Sequence, residues 1–217
     1  MMSKPVILIG NGGHATVLTE ILLQQKQNIL GFTGTREEIN RFGLSYLGTD
    51  EQIDLYSPNE IELILAIGSV CVSPKRAVIF NRMKRKGYSF ATVIHPSAII
   101  SPHAEIGEGV HIMAGSIIQP FARIADNTII NTSASIDHDC QIKRHCHIAP
   151  GVVLSGNVQV EEGSHIGTGA TVIQGLTIGK NVLVGAGALV RRQVADGKTV
   201  YGVPAKEVTQ WNAGNKF

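Results

Sequence analysis

The stretch Ile94-His-Pro-Ser-Ala-Ile-Ile100-Ser-Pro-His-Ala-Glu-Ile106-Gly-Glu-Gly-Val-His-Ile112 sets the pattern for the second half of the chain. Steps of six from Ile94 reach Ile118, Ile124, Ile130, Ile136, Ile142, Ile148, Leu154, Val160, Ile166, Val172, Ile178, Val184 and Val190, and every position on the way is Ile, Leu or Val. With 43% of the chain hydrophobic, chance does not produce such a run. Four residues after each anchor comes something small or modestly apolar, among them Ala98, Ala104, Val110, Ser116, Ala122, Thr128 and Ala134. Neither the 3.6-residue period of a helix nor the 2-residue period of an ordinary strand survives that distance. A period of six reads instead as a triangular coil of three short strands, each face sending one aliphatic side chain inward. Successive coils pair as parallel strands about 4.8 Å apart. Turn residues fall between the faces, at Pro102, Glu108-Gly109, Asp126-Asn127, Pro150-Gly151, Glu162-Gly163 and Ala186-Gly187.

The composition of the 217 residues agrees with this reading. Twenty-four glycines against 5% aromatics suit tight corners around a thin aliphatic core. A net charge of +2 with 17% charged residues supplies no basic field for nucleic acid. No apolar run approaches the roughly 18 residues of a membrane span. The N-terminus passes from Lys4 directly into Val6-Ile7-Leu8-Ile9 without a signal-peptide cleavage pattern, so a cytoplasmic setting is expected. Cys71, Cys140 and Cys146 form neither an even disulfide set nor a CxxC pair. Cys140 and Cys146 fall on the small inward position of the repeat and read as buried small residues.

The first ninety residues alternate strand and helix: a strand at Val6–Ile9, a helix at Ala15–Gln25, a strand at Ile29–Phe32, another at Ile61–Ile67, and a helix from Ser73 to Lys86 with Ser73 as N-cap and Pro74 in first position. This is a small doubly wound, Rossmann-like parallel sheet. The first strand runs into Gly10-Asn11-Gly12-Gly13-His14-Ala15 and then a helix, the setting in which backbone amides hold a phosphate. A nicotinamide cofactor wants an acid at the end of the second strand, and Thr33-Gly34 stands there. A nucleotide or nucleotide-sugar phosphate is the better expectation. Ala66-Ile67-Gly68-Ser69 is expected to face the same crevice.

Within the solenoid, Asn131-Thr-Ser-Ala-Ser-Ile136-Asp137-His138-Asp139-Cys140, followed by His145 and His147, departs from its surroundings. His138 comes two residues after an anchor, so it sits at a corner and points outward. One coil further on lies Gly156, whose missing side chain leaves room beside the imidazole and whose N–H suits a carbonyl oxygen. A base beside an oxyanion donor is what acyl transfer requires. Asp139 or Asp137 is placed to orient the ring. The cluster as a whole is read as functional, and His147 and His165, one coil apart, as an outward ladder.

These motifs, together with Val200-Tyr201-Gly202-Val203-Pro204-Ala205-Lys206, resemble the sialic acid O-acetyltransferase-type family of hexapeptide-repeat sugar acyltransferases. The likeness is greatest to bacterial N-acetyltransferases of nucleotide-linked 4-amino-4,6-dideoxy sugars. The resemblance implies a left-handed parallel β-helix, acetyl-CoA as co-substrate, a nucleotide-sugar acceptor (UDP first) and a homotrimer with acetyl-CoA between adjacent prisms. It implies His138 as general base with Asp139 as partner, and His147 and Gly156 against the acetyl thioester. Thr168 and Ala186 are implied to line the pantetheine groove, and Arg191 to meet coenzyme A phosphates. Gly10, Asn11, Gly12, Gly13, His14, Gly68 and Asn131 are expected on the acceptor. UDP-binding relatives usually carry two acidic residues where Thr33-Gly34 stands. Zinc enzymes resembling the γ class of carbonic anhydrase share the repeat, but His111, His138, His145 and His147 do not match their spacing, and no metal is expected. Residues 1–90 are expected to be the nucleotide-sugar domain, and 91–217 the acetyltransferase domain with a capping tail. The N-terminal domain would cover one end of the solenoid and the tail after Gly202 the other. Two other readings are O-acetylation of a sialic acid and a non-catalytic trimeric scaffold.

Overall fold

A computed structural model describes residues 4–208. Its N-terminal unit is a three-stranded parallel sheet of β1 (Val6–Ile9), β2 (Ile29–Thr33) and β3 (Glu62–Ile64), in the order β2-β1-β3, with helices α1 (Gly13–Gln24) and α2 (Lys75–Arg85). All four β1 side chains are buried, because helices or coil cover the sheet on both faces. Helix α1 begins at Gly13 instead of Ala15, so the glycine turn itself forms the first helical turn. Strand β3 stops at Ile64: the Ala66 N–H turns back to the Ile64 carbonyl, and the buried Leu65 and Ala66 follow as loop. Pro74, not Ser73, occupies the cap position of α2, and the Ser73 hydroxyl accepts the Lys75 N–H at 3.3 Å.

From β4 (Val93–Ile94) to β20 (Leu189–Val190) each anchor ends a two-residue strand, and these strands stack into three parallel sheets. The first face carries Val93, His111, Ile129, His147, His165 and Leu183 outward. The second carries Ile99, Ile117, Ser135, Val153, Thr171 and Leu189. The third carries Glu105, Arg123, Gln141, Gln159 and Thr177. This is the hexapeptide-repeat left-handed β-helix. Its interior is one cluster of anchors and small residues, Cys140 and Cys146 among them. The small inward position also has a polar use. Ser116, Thr128 and Ser164 each donate to a carbonyl fifteen residues ahead, and the two thiols contact carbonyls at the same offset. A small donor there satisfies a corner carbonyl of the next coil that would otherwise be buried unpaired.

Every sixth residue from Gly109 to Gly187 has positive φ, so each corner in that range turns through the left-handed region. Glycine takes half of these positions and Asn127, Asn157 and Asn181 three more, the residue types that tolerate it best. Asp139 at φ 59° is one of the exceptions, and it adjoins His138.

The N-terminal unit does not cap the open end of the prism as the sequence suggests; it lies along the first face. Val93 and Met113 belong to the core formed by β1, α1 and Phe32, and α2 reaches the preceding corner through Arg76 and Lys84. The physical reason is area: Val93, His111, Ile129 and His147 offer an outward surface to bury, whereas an open end offers mostly strand edges. At the other end Lys206–Glu207 pairs antiparallel with Thr199–Tyr201 and closes the edge of the first face. The rest of the expected capping tail, residues 209–217, lies outside the described residues.

The register makes neighbouring residues energetically unlike. Ile142→Ala, inside the coil, should cost about 2–5 kcal/mol, while Gln141→Ala, outward on the same strand, should stay within about 0.5 kcal/mol. Urea unfolding of the two variants against the parent checks the assignment.

Candidate active site

A cavity of about 650 Å³ opens where the N-terminal unit meets the first face. Its walls include the turn Gly10–His14, the end of β2 through Arg36, the loop Ala66–Val70, Lys75, and from the prism Met113, Asn131 and His147. All the residues expected on the acceptor, from Gly10 to Asn131, line this one space. The glycines serve different needs. Gly10, at φ 107°, passes so close to the loop after β3 that a Cβ would lie 3.0 Å from the Ile67 side chain, whereas Gly12 and Gly13 face open space. No side chain caps α1, so its first amides remain available to an anion. Asn11 accepts from the Asn40 amide at 2.7 Å and so braces the loop after β2. The His14 side chain turns inward, its Nε2 3.0 Å from His111 Nδ1. Its place in the site is therefore structural as well as backbone.

A second space of about 790 Å³ runs down the corner between the first and second faces, past Pro150, His165, Thr168, Ala186 and Tyr201. It shares Ser69, Val70, Asn131 and His147 with the first cavity, so the two meet at these four residues. The hydrogen bonds there have a direction. The Thr132 N–H donates to Asn131 Oδ1 at 2.8 Å, which turns the Asn131 amide nitrogen toward His147 Nε2 at 3.1 Å. His147 Nε2 is therefore the acceptor, and its Nδ1–H points at the Ser69 hydroxyl, 2.9 Å away. Ser69 keeps its own proton to donate into the junction.

His147 is held at a pKa of about 3, first by burial and then by His165, His14 and Arg76. Burial also lowers His14 to about 3 and His165 to about 4, and takes His111 well below its ordinary value. Arg76 is buried with no carboxylate partner among the described residues. It donates to the carbonyls of Leu65 and Ile67 and, at 2.7 Å, to Asn127 Oδ1 across the domain boundary. Burial is the main reason these imidazoles stay neutral, and the Arg76 charge adds to it at His14, His111 and His147. The His147–His165 ladder points out of the prism as expected, but it is a buried edge-to-face pair at 4.8 Å and not a solvated one.

His138 stands at the corner between the second and third faces. Its Nδ1 lies 2.8 Å from Asp139 Oδ2, while Asp137 accepts the His138 backbone N–H at 2.7 Å. Asp139 is therefore the orienting carboxylate, and that hydrogen bond is the main cause of a raised His138 pKa. A Cβ on Gly156 would lie 2.6 Å from His138 Nε2, so the expected stacking is met and any side chain there would displace the imidazole from its present position.

The cluster read from the sequence does not come together in one chain. His145 sits at another corner with Asn127 and Phe80, and His147 on the first face, because seven or nine residues of a six-residue repeat move to the next corner or strand. Arg191 shares the His138 corner, three coils away, and not the groove of Thr168 and Ala186. The expected site divides into the cavity and groove, with Asn131, His147, Thr168 and Ala186, and a corner bearing His138, Asp139, Gly156 and Arg191. Lys75, Arg36 and Asp50 also line the cavity and were not expected there. Ser69 lies where its place at the end of the third strand put it, facing the same space. Among the described residues, no group of three or more His, Cys, Asp or Glu side chains is arranged to hold a metal ion.

Comparison with known proteins agrees with this architecture. Residues 5–83 match the PglD N-terminal domain, and residues 121–156 and 157–192 match the bacterial transferase hexapeptide (six repeats). The chain is 37% identical over 122 residues to the UDP-N-acetylbacillosamine N-acetyltransferase of Bacillus subtilis (strain 168), a match that spans 51% of this chain and about half, 52%, of that relative. The acetyltransferase domain of PglB from Neisseria gonorrhoeae FA1090, solved in complex with acetyl coenzyme A, superposes with a TM-score of 0.89 at 35% identity, over 95% of this chain and 100% of that one. A histidine-to-asparagine mutant of perosamine N-acetyltransferase from Caulobacter crescentus, in complex with CoA and GDP-perosamine, gives a TM-score of 0.90 at 36% identity, over 95% and 97%. The hexapeptide prism with the N-terminal unit along its side defines a hexapeptide-repeat acyltransferase. More narrowly, this chain belongs to the family of acetyl-CoA-dependent sugar N-acetyltransferases with a PglD-type N-terminal domain.

The buried histidines link stability to pH. Their folded pKa values lie below the ordinary 6.5, so as pH falls below 6.5 the unfolded chain takes up protons that the folded chain refuses until about pH 4 or 3. Their contribution is complete above 6.5 and is lost on acidification. The urea midpoint should be lower at pH 5 than at pH 7.5, and His14→Gln should flatten the dependence.

Proposed function

We propose that the chain transfers acetyl from acetyl-CoA to the 4-amino group of a nucleotide-linked amino-dideoxy sugar, as a cytoplasmic step toward a surface glycan or glycoprotein. The observation that carries this reading is the meeting of the cavity and the groove at Ser69, Val70, Asn131 and His147. An acceptor held by residues 1–90 and a thioester lying in the groove of residues 91–217 reach the same four residues. The relatives solved with acetyl coenzyme A, and with CoA and GDP-perosamine, support both ligands.

A second copy of the chain completes the site. The second face presents Ile99, 65% exposed, Val153, 42% exposed, and Ile117 and Leu189 outward, whereas the third presents Glu105, Arg123, Gln141 and Gln159. Three prisms with parallel axes and their second faces toward a three-fold axis form a closed heterologous ring. Each then sets its second-to-third corner against its neighbour's first-to-second corner. His138, Asp139 and Gly156 of one subunit thereby face the groove of the next. Arg191 of that corner faces the lower groove, toward coenzyme A phosphates.

In this site the sugar nitrogen attacks the thioester carbonyl carbon, and His138 Nε2 removes the proton that the amine sheds. Asp139 holds the imidazole by Nδ1 and stabilises its cation. The Gly156 N–H faces the developing oxyanion. As the C–S bond breaks, the leaving thiolate takes the proton from His138, so no net charge or proton is left behind. His147, held neutral and accepting at Nε2, orients groups at the junction and is too weak a base to deprotonate an amine.

The first test is coenzyme A release from acetyl-CoA with UDP-, GDP- and dTDP-linked 4-amino sugars, with free and CMP-linked sialic acid beside them. Turnover confined to sialic acid would make the enzyme an O-acetyltransferase, and failure to bind acetyl-CoA would leave a scaffold. His138→Ala should lower kcat by about 10²–10⁴-fold with little change in acetyl-CoA affinity. Co-expressed with Asn131→Ala, it should recover activity in roughly a quarter of sites by random assortment around the ring; no recovery would place His138 and Asn131 in one subunit's site. Because Asp139 raises the His138 pKa, Asp139→Asn should move the acid limb of the kcat/KM profile to lower pH.

A further inference from the structure

The cavity holds a carboxylate that the sequence order conceals. In doubly wound folds an acid at the end of the second strand takes the ribose 2′-hydroxyl of a bound nucleotide. This chain has Thr33-Gly34 at that place. In the fold, however, residues 45–48 run beside β2. Ser45 accepts the Phe32 N–H, the Leu47 N–H donates to the Phe32 carbonyl, and Gly48 accepts the Gly34 N–H. Gly48, at φ 104°, then turns the chain back, and Asp50 arrives beside Thr33. The Thr33 hydroxyl donates to Asp50 Oδ1 at 2.9 Å, and Arg82 of α2 donates to Asp50 Oδ2 at 2.8 Å. Asp50 also lines the cavity with Gly10, Gly12 and Gly34.

We propose that Asp50 is the ribose-recognising residue of this site, accepting the 2′-hydroxyl of the nucleotide, and that the acceptor is therefore a ribonucleoside-diphosphate sugar in preference to a deoxyribonucleoside one. A carboxylate has about four acceptor positions, and two are filled here. Thr33 and Arg82 fix the group from behind, so it offers its remaining positions without losing side-chain freedom on binding. Thr33 is itself fully buried, its hydroxyl spent on Asp50, so it is the support and Asp50 the contact. The uncapped amides at the start of α1 and the carboxylate beside the end of β2 line the same cavity, as the two ends of a nucleoside diphosphate require.

The inference rests on reading the cavity as a nucleotide site, and the experiment separates the two. Calorimetry on the full chain compares UDP with 2′-deoxy-UDP, and GDP with 2′-deoxy-GDP, for the parent, Asp50→Asn and Asp50→Ala. The parent should bind the ribose form about ten- to a hundredfold tighter in at least one pair, the worth of a hydrogen bond to a charged group. In Asp50→Ala the ratio should fall to about one, with Asp50→Asn in between. Each ratio is taken within one protein, so a loosened fold weakens both members and leaves it unchanged; should Asp50→Ala fail to fold, Asp50→Asn carries the comparison. A parent ratio near one, or a ratio that survives in the variants, overturns the role of Asp50 and shows the Thr33–Asp50–Arg82 contact to be a clamp, with the nucleotide site intact. No binding of either nucleotide overturns the inference together with the reading beneath it.

Discussion

The structure depends on one constraint: each 18-residue coil closes with three aliphatic side chains inside and registers on the coil below. Parallel pairing at about 4.8 Å leaves no slack in that register. A slip of one residue would turn an anchor outward and a polar neighbour inward. Everything on the prism surface is therefore placed by its number modulo eighteen. That is why His138 lies against Gly156, and why Asn131, His147, Thr168 and Ala186 line one side of the prism while His138 stands on another.

Where the N-terminal unit meets the prism, a different physics operates. Three imidazoles, His111, His147 and His165, and the Arg76 guanidinium are buried there, with His14 half-buried beside them and no carboxylate paired to Arg76 among the described residues. Such a group is stable only because the histidines give up their protons and Arg76 finds neutral carbonyl and amide acceptors. Neutral imidazoles have one donor and one acceptor each, which makes the chain Asn131–His147–Ser69 directional. Depressed basicity disqualifies His147 as a base and suits it to positioning, whereas the exposed His138, supported by Asp139, has its basicity raised. Two histidines nine residues apart are thus tuned in opposite senses by burial and by a carboxylate.

Much was legible before folding. The period of six, read from Ile94 to Val190, specified the prism, its strands and the inward place of Cys140 and Cys146, because a repeat of one buried contact writes itself into every sixth residue. The Gly10–His14 turn marked one wall of the cavity because a local motif there follows a strand and opens a helix. The spacing of eighteen linked His138 to Gly156, since that contact is a property of the repeat.

What the sequence by itself determined are features governed by local spacing: the coil, the glycine turn, and the His138–Asp139–Gly156 corner. Only the tertiary structure decided how they combine. Burial of the first face laid the N-terminal unit along the prism instead of over its end. The same packing joined Ser69 to His147 across 78 residues and split the apparent histidine cluster between faces. Hydrogen bonding beside β2 delivered Asp50 to Thr33 across 17 residues with no motif between them. Such contacts depend on which surfaces find the most area and the best-matched donors to bury, and no local pattern of residues records that outcome.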